Sequence, residues 1–323
     1  MSKPQVIVTR RWPEEVEARL KERFDVQLNA SDTPMSRGAL KDALASADAL
    51  FPTVTDRIDA DVLSAEPLRA RLIGNFGVGF NNIDIEAAKE RGLVVTNTPE
   101  VLTDATADLA MTLLLSVARR AGEGERHVRA GAWSGWRPTH MMGTQVTGKT
   151  LGLIGFGRIG QAMARRAHGG FGMRILFFDP YPPNEAAVQA TAAERRETIE
   201  AVLEDSDFVS LHCPATPENH HLINAARLKR MKPEAFLVNT ARGDVVEEAA
   251  LLEALEQGTI AGAGLDVFEH EPKVTAGLIE REDVVLLPHL GSATRETRIA
   301  MGLKVLENAE AFFGGAEPPN RVA

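Results

Sequence analysis

The 323-residue chain holds a single cysteine, Cys213. A lone thiol cannot close an internal disulfide, which excludes a cross-linked secreted scaffold and fits a reducing cytoplasm. No run approaches the roughly 18 apolar residues that a membrane span needs. The first residues, MSKPQVIVTRRW, offer only a short apolar stretch before Arg10 and Arg11, so no signal peptide is expected. Positive charge is also scarce: 36 Lys and Arg against 45 Asp and Glu leave a net −9. Nucleic acid is therefore not expected as a partner, because phosphate binding needs clustered cations. A small anionic substrate is compatible with that balance if one local arginine holds it. There is no low-complexity tract and no short-period repeat.

What is present is an ordinary globular composition, 44% hydrophobic and 25% charged, at a length that suits two domains. Strand-like runs alternate with helix-compatible stretches in two series. The first comprises Gln5 to Thr9, Phe24 to Leu28, Ala47 to Phe51, Arg71 to Phe76 and Leu93 to Asn97, with amphipathic stretches Glu14 to Arg23 and Arg37 to Ala45 between them. The second comprises Leu151 to Gly155, Arg174 to Asp179, Phe208 to His212, Ala235 to Thr240, Ile260 to Asp266 and Val284 to His289. Such alternation predicts βαβ units and parallel sheets. Between the series, Thr103 to Arg120 is apolar nearly all round, so it reads as a buried helix capped by Thr103 and closed by two arginines. A last helix, Arg295 to Phe313, is expected to return to the first domain. The expected fold class is α/β, with two Rossmann-like or flavodoxin-like domains built on parallel sheets. A doubly wound dinucleotide-binding domain (101–292) would be inserted in a substrate domain (1–100 with 293–323).

Gly155-Phe156-Gly157-Arg158-Ile159-Gly160 follows a strand and opens a helix. Glycines there permit a tight turn, approach of the backbone to a pyrophosphate, and close packing of helix on strand. Asp179 ends the next strand, where a carboxylate can accept from the adenosine ribose hydroxyls. It would also repel a 2′-phosphate, which favours NAD; Arg158 nearby could offset the repulsion and admit NADP.

Ligands of open parallel sheets bind beyond the carboxyl ends of the strands. The residues there are Gly155, Asp179, His212, Thr240 to Arg242, Asp266 and His289, a polar set after apolar strands. Reducing a 2-oxo acid needs a cation for its carboxylate and an acid for its carbonyl oxygen. Arg242 suits the first through its planar, always charged fork. His289 suits the second because an ordinary imidazole gives or takes a proton near neutrality. Glu271 could bond the far imidazole nitrogen and fix its tautomer. His220 and His221 are adjacent, a spacing that separates side chains on a helix or strand, so they read as structural, and no metal site is expected. Cys213 beside His212 reads as a buried free thiol.

These motifs resemble those of the D-isomer-specific 2-hydroxyacid dehydrogenase family. The likeness runs from Asn75-Phe76-Gly77-Val78-Gly79-Phe80-Asn81-Asn82-Ile83-Asp84 through the glycine turn, Asp207 to Pro214, Asn239-Thr240-Ala241-Arg242-Gly243, Gly264-Leu265-Asp266-Val267-Phe268 and Glu271-Pro272 to Pro288-His289. It implies Arg242, Glu271 and His289 as the catalytic set, with amides near Val78 and Gly79 helping to hold the substrate carboxylate. It also implies cofactor contacts from Thr106, Arg158, Ile159, Asp179, His212, Pro214, Thr240, Ala241, Asp266 and the stretch His289 to Ser292, which includes Gly291. It implies a homodimer built by the long helix and the arm after it, 103–148. Trp133-Ser134-Gly135-Trp136-Arg137-Pro138 and Met141-Met142-Gly143 are similar to the glyoxylate and hydroxypyruvate reductases of that family, with Trp136 and Met142 either at the substrate pocket or in the dimer contact. The alternatives are reduction of a larger sugar acid such as 2-ketogluconate, or a non-catalytic NAD sensor similar to the corepressors of the family.

Overall fold

The computed structural model describes residues 3–323. Met1 and Ser2, which begin the stretch read for a signal peptide, lie outside the described residues. The chain divides into two compact units, Met1–Leu102 with Ser292–Ala323, and Thr103–Gly291. Among the described residues no helix is long and apolar enough to cross a membrane.

In the first unit β1 (Gln5–Val8), β2 (Asp25–Gln27), β3 (Ala49–Phe51), β4 (Leu72–Gly74) and β5 (Val94–Thr96) form a wholly parallel sheet ordered β2-β1-β3-β4-β5. Each strand lies within its expected apolar run, shortened at the ends. The connections carry α1 (Glu14–Arg23), α2 (Arg37–Ser46), α3 (Ala60–Leu63) and α4 (Ile85–Glu90). α1 buries Val16 and Leu20, the i, i+4 pair of its inner face. Ser36, Asp59 and Asp84 cap α2, α3 and α4 by accepting a backbone N–H three residues on. Ala49, Leu50, Phe51, Leu72 and Ile73 are fully buried because helices cover both faces of the sheet.

The second unit opens with α5 (Thr103–Ala118) and α6 (Ala121–Arg129). α5 begins at Thr103 itself instead of being capped by it. It ends at Ala118, so the two arginines fall beyond the helix: Arg120 turns the chain at φ +53° and binds Glu123 through two 2.7 Å bonds. The βα series then runs β6 (Thr150–Ile154), α7 (Arg158–Phe171), β7 (Arg174–Phe178), α8 (Glu185–Thr191), β8 (Glu194–Arg195), α9 (Ile199–Asp205), β9 (Phe208–Leu211), α10 (Ala225–Leu228), β10 (Phe236–Asn239), α11 (Glu248–Glu256), β11 (Gly262–Leu265), α12 (Ala276–Ile279) and β12 (Val284–Leu286). The sheet is parallel throughout in the order β12-β11-β10-β9-β6-β7-β8. It has seven strands where apolar runs predicted six. The extra one, β8, is a charged two-residue edge strand with no hydrophobic signature. α5 lies against β11, where a Cβ on Gly264 would come within 3.0 Å of the Leu113 Cβ.

The last helix, α13 (Arg295–Phe313), belongs to the first unit and packs on α1 and β4. Thr294 caps it, Gly302 brings it against Val16, and Arg23 pairs with Glu310 at 2.9 Å. Arg321 then bridges Thr96, the last residue of β5.

Candidate active site

In the second sheet the strand order reverses between β6 and β9, which opens a crevice at the carboxyl ends of the strands. The glycine turn lies there. Gly155 adopts φ +95°, and a Cβ on it would stand 2.7 Å from the His212 backbone, so the turn needs glycine for both conformation and space. At Gly160 a Cβ would meet the Gly155 carbonyl at 2.3 Å, which is the close approach of α7 to β6. Gly157 differs, because a Cβ there meets nothing within 4 Å. It leads into α7 without a side-chain cap, and the first turn, with Arg158 and Ile159, carries no acid. An open helix N-terminus behind a glycine with free space in front of it fits a pyrophosphate.

Asp179 stands at the end of β7, half-buried. Its oxygens accept from the N–H of Phe156 at 2.7 Å and of Tyr181 at 2.9 Å, which ties the glycine turn to the next strand and leaves each oxygen a lone pair. A cavity of about 580 Å³ lies beside it, lined by Phe178, Asp179, Pro180, Arg195, Arg196 and Glu197. Arg195 donates to the carbonyls of Asp179 and Tyr181. At the end of β9, His212 meets the Ser210 hydroxyl at 3.0 Å, and burial drives its pKa down to about 4, so it is neutral at pH 7. Pro214 follows, exposed. After β10, Ala241 donates its N–H to Asn239, and the buried Thr240 hydroxyl has no hydrogen-bond partner among the described residues. An orphaned buried hydroxyl at a sheet edge suits a bound polar ligand.

Glu271 and His289, 18 residues apart, meet through Oε2 and Nδ1 at 2.8 Å. Burial alone would raise the Glu271 carboxyl. The His289 hydrogen bond and charge, the Phe268 N–H and the charge of Arg242 outweigh it and hold the group below its usual range. Arg242 is half-buried; one guanidinium N–H goes to the Ala241 carbonyl, and no carboxylate among the described residues pairs with it. Burial lowers its pKa against the pull of Glu271 and Asp244. A charged fork held this way is open to an incoming carboxylate.

His289 sits at φ +56°, a left-handed conformation that a non-glycine residue keeps only where its surroundings enforce it. Asp266 enforces it. Its carbonyl accepts the His289 N–H at 2.8 Å, and its two carboxylate oxygens accept the N–H of Leu290 at 2.6 Å and of Gly291 at 2.8 Å. The Asp266 side chain, expected at the cofactor, is fully buried and clamps the His289 turn. Burial raises its carboxyl, against the two N–H bonds and His289. Thr106 is likewise buried, donating its hydroxyl to the Gly291 carbonyl at 3.1 Å. Ser292 begins the returning segment of the first unit.

In the first unit, Asn75 reaches the carbonyls of Gly77 and Gly79, and Asn97 that of Val78, which fixes the loop. The N–H groups of Val78 and Gly79 donate to nothing among the described residues.

Other expectations need correction. Met142 lines a cavity of about 530 Å³ with Val117, Phe236, Ala261 and Asp283, at the amino ends of β10 to β12. That is the sheet edge opposite His289, so Met142 does not reach the His289–Glu271 pair of its own chain, and Trp136 is 81% exposed. The His220 and His221 rings do not diverge; they stack at 3.9 Å because His221 turns at φ +50°. Among the described residues no group of three or more His, Cys, Asp or Glu could hold a metal. Burial pushes the Cys213 thiol up to about 11.

A doubly wound parallel sheet with a glycine turn at its switch point, and a His–Glu pair beside an unpaired arginine at the same edge, defines a nicotinamide-dinucleotide-dependent oxidoreductase. Residues 111–291 match the model of the D-isomer specific 2-hydroxyacid dehydrogenase NAD binding domain. The chain is 47% identical to a glyoxylate reductase of Thermococcus litoralis over 324 residues, covering 99% of this chain and 97% of the relative. It is also 47% identical to a glyoxylate reductase of Korarchaeum cryptofilum, over 99% and 96% of the two chains. Among solved structures, the NADPH-dependent glyoxylate/hydroxypyruvate reductase of Sinorhizobium meliloti, in complex with NADP and malonate, is similar at a TM-score of 0.88 and 34% identity, covering 100% of this chain and 97% of that one. A protein of Thermus thermophilus matches at a TM-score of 0.90 and 43% identity, covering 99% and 100% of the two chains. The chain belongs to the D-isomer specific 2-hydroxyacid dehydrogenase family and is an NAD(P)-dependent oxidoreductase.

Proposed function

We propose that this enzyme reduces glyoxylate to glycolate, or hydroxypyruvate to the D-2-hydroxy acid. The observation that carries the reading is the 2.8 Å His289–Glu271 pair next to a guanidinium without a carboxylate partner. The arrangement supplies an acid, its orienting base and an anion clamp at one edge of a dinucleotide-binding sheet. Arg242 holds the substrate carboxylate. His289 gives its Nε2 proton to the carbonyl oxygen while Glu271 fixes Nδ1 as the donor to the carboxylate. The reduced nicotinamide supplies the hydride. Thr103–Gly291 serves as the cofactor domain, where Gly155, Gly157, Gly160, Thr240 and Asp179 would hold the dinucleotide. NADH is preferred, because Asp179 offers two acceptor oxygens to ribose hydroxyls and repels a 2′-phosphate. The working form is a homodimer.

Initial rates of NADH and of NADPH oxidation with glyoxylate, hydroxypyruvate, pyruvate and 2-ketogluconate test the proposal. Fastest turnover of NADH with one of the first two is expected. Fastest turnover of 2-ketogluconate, or NADH binding without oxidation by any acid, would refute it.

A further inference from the structure

Behind the Glu271–His289 pair lies a second histidine–carboxylate contact on the same segment. After β11 the chain runs Val267–Phe268–Glu269–His270–Glu271, so Glu269 and Glu271 flank His270, which is exposed. Glu271 meets His289, whereas Glu269 is bonded to the body of the unit. Its Oε1 lies 2.7 Å from Nε2 of His221, and Oε2 accepts the Glu248 N–H at 3.2 Å. In return the Glu269 N–H donates to Glu248 Oε1 at 2.8 Å. The other Glu248 oxygen accepts from the N–H and hydroxyl of Thr275. The segment carrying Glu271 is thus fastened on both sides, at Glu269 and at Thr275, to the first turn of α11. His221 is itself held by its N–H to the Asp244 carbonyl at 2.8 Å.

Two carboxylates, Glu248 buried and Glu269 mostly so, sit together, Glu269 with His221 as its hydrogen-bonded partner and His270 next to it in the chain. An apolar contact would fasten the loop with less desolvation, since buried charge is retained at a cost. A network of directional bonds does what apolar packing does not: it fixes position and orientation to a fraction of an ångström. The Glu271 carboxylate needs that definition, because it must meet a particular nitrogen of His289.

We propose that Glu269, held by His221 and Glu248, is a positioning residue for the reaction, setting Glu271 against His289. This rests on the catalytic reading of Glu271 above. Turnover of the fastest oxo acid would be measured for wild type, Glu269→Ala, Glu269→Gln, Glu271→Gln and the Glu269→Ala/Glu271→Gln double variant. Glu269→Ala is expected to lower kcat about tenfold, but to lower it less than about twofold further once Glu271 is replaced, the signature of coupled residues. The NADH KM should stay close to wild type in each. Glu269→Gln should recover most of the turnover, because its amide can accept from the Glu248 N–H and donate to the alternative tautomer of His221.

An equal loss from Glu269→Ala in both backgrounds would show a general weakening of the fold and overturn the proposal, as would wild-type turnover of Glu269→Ala. Wild-type turnover of Glu271→Gln would instead refute the catalytic reading, and the inference with it. Should Glu269→Ala fail to fold, His221→Asn replaces it in the same cycle; asparagine tolerates the left-handed backbone but is too short to keep the bond.

Discussion

At the scale of single residues, the decisive feature is an arginine left unpaired beside a carboxylate already committed elsewhere. Glu271 is near enough to feel the charge of Arg242, yet its oxygens go to His289 and to the Phe268 N–H. Had Glu271 closed on Arg242, neither the proposed clamp nor the proposed acid would be available. Arg242→Ala should therefore lower kcat/KM for the oxo acid on the order of 100-fold, since hydrogen bonds to a charged group contribute about 1.5–3 kcal/mol each. The NADH dissociation constant should stay within a few-fold of wild type. Arg242→Lys should recover little, because one ammonium cannot reproduce a bidentate fork. Saturation curves in oxo acid and a fluorescence titration with NADH check this; an unchanged oxo-acid KM and kcat in Arg242→Ala would remove it from substrate binding.

At the scale of elements, the site depends on loops that the sheet brings close together. A Cβ on Gly243 would stand 1.9 Å from the Phe268 carbonyl and 2.4 Å from the Glu269 nitrogen, so the loop after β10 and the segment after β11 touch backbone to backbone. Gly243→Ala must push that segment away. It should cost about 1–3 kcal/mol of stability and reduce turnover further than the fall in melting temperature accounts for, because Glu271 rides on the displaced segment. Gly157→Ala is the contrast: nothing lies within 4 Å of its added Cβ, so melting should hold while cofactor binding weakens. Thermal melts and NADH titrations of the two variants check both. Most of this architecture could be read in advance, because parallel strands buried on both faces appear as continuous apolar runs whose carboxyl ends carry the polar residues. β8 could not, being charged and at an edge. The task of Asp266 was hidden as well: a strand-end carboxylate looks alike in sequence whether it faces a ligand or folds back onto the amides of Leu290 and Gly291. So was the Glu269–His221 contact, whose partners lie 48 positions apart and share no pattern.

At the scale of the whole molecule, four of the exposed large apolar side chains fall within one short stretch of sequence. Val128, Trp133, Trp136 and Met142 are each more than half exposed, and together they follow α5, with Met142 at the 530 Å³ cavity. Scattered exposed apolar residues need no explanation, but a cluster containing two tryptophans marks a contact surface. This supports the proposed homodimer. Sedimentation equilibrium should give twice the chain mass for the wild type and a single-chain mass for Trp133→Ser/Trp136→Ser at micromolar concentration, since a symmetric dimer loses two anchors from each subunit, and four at about 2 kcal/mol each weaken association roughly a millionfold. A wild type that sediments as one chain would end the dimer proposal. The kinetics of the double variant separate the two roles left open for Trp136. If it only packs in the dimer, the oxo-acid KM at saturating NADH stays at the wild-type value. If it completes the substrate pocket of the partner subunit, KM rises with dissociation and falls again as the concentration of the single Trp133→Ser variant, which keeps Trp136, drives the dimer back together.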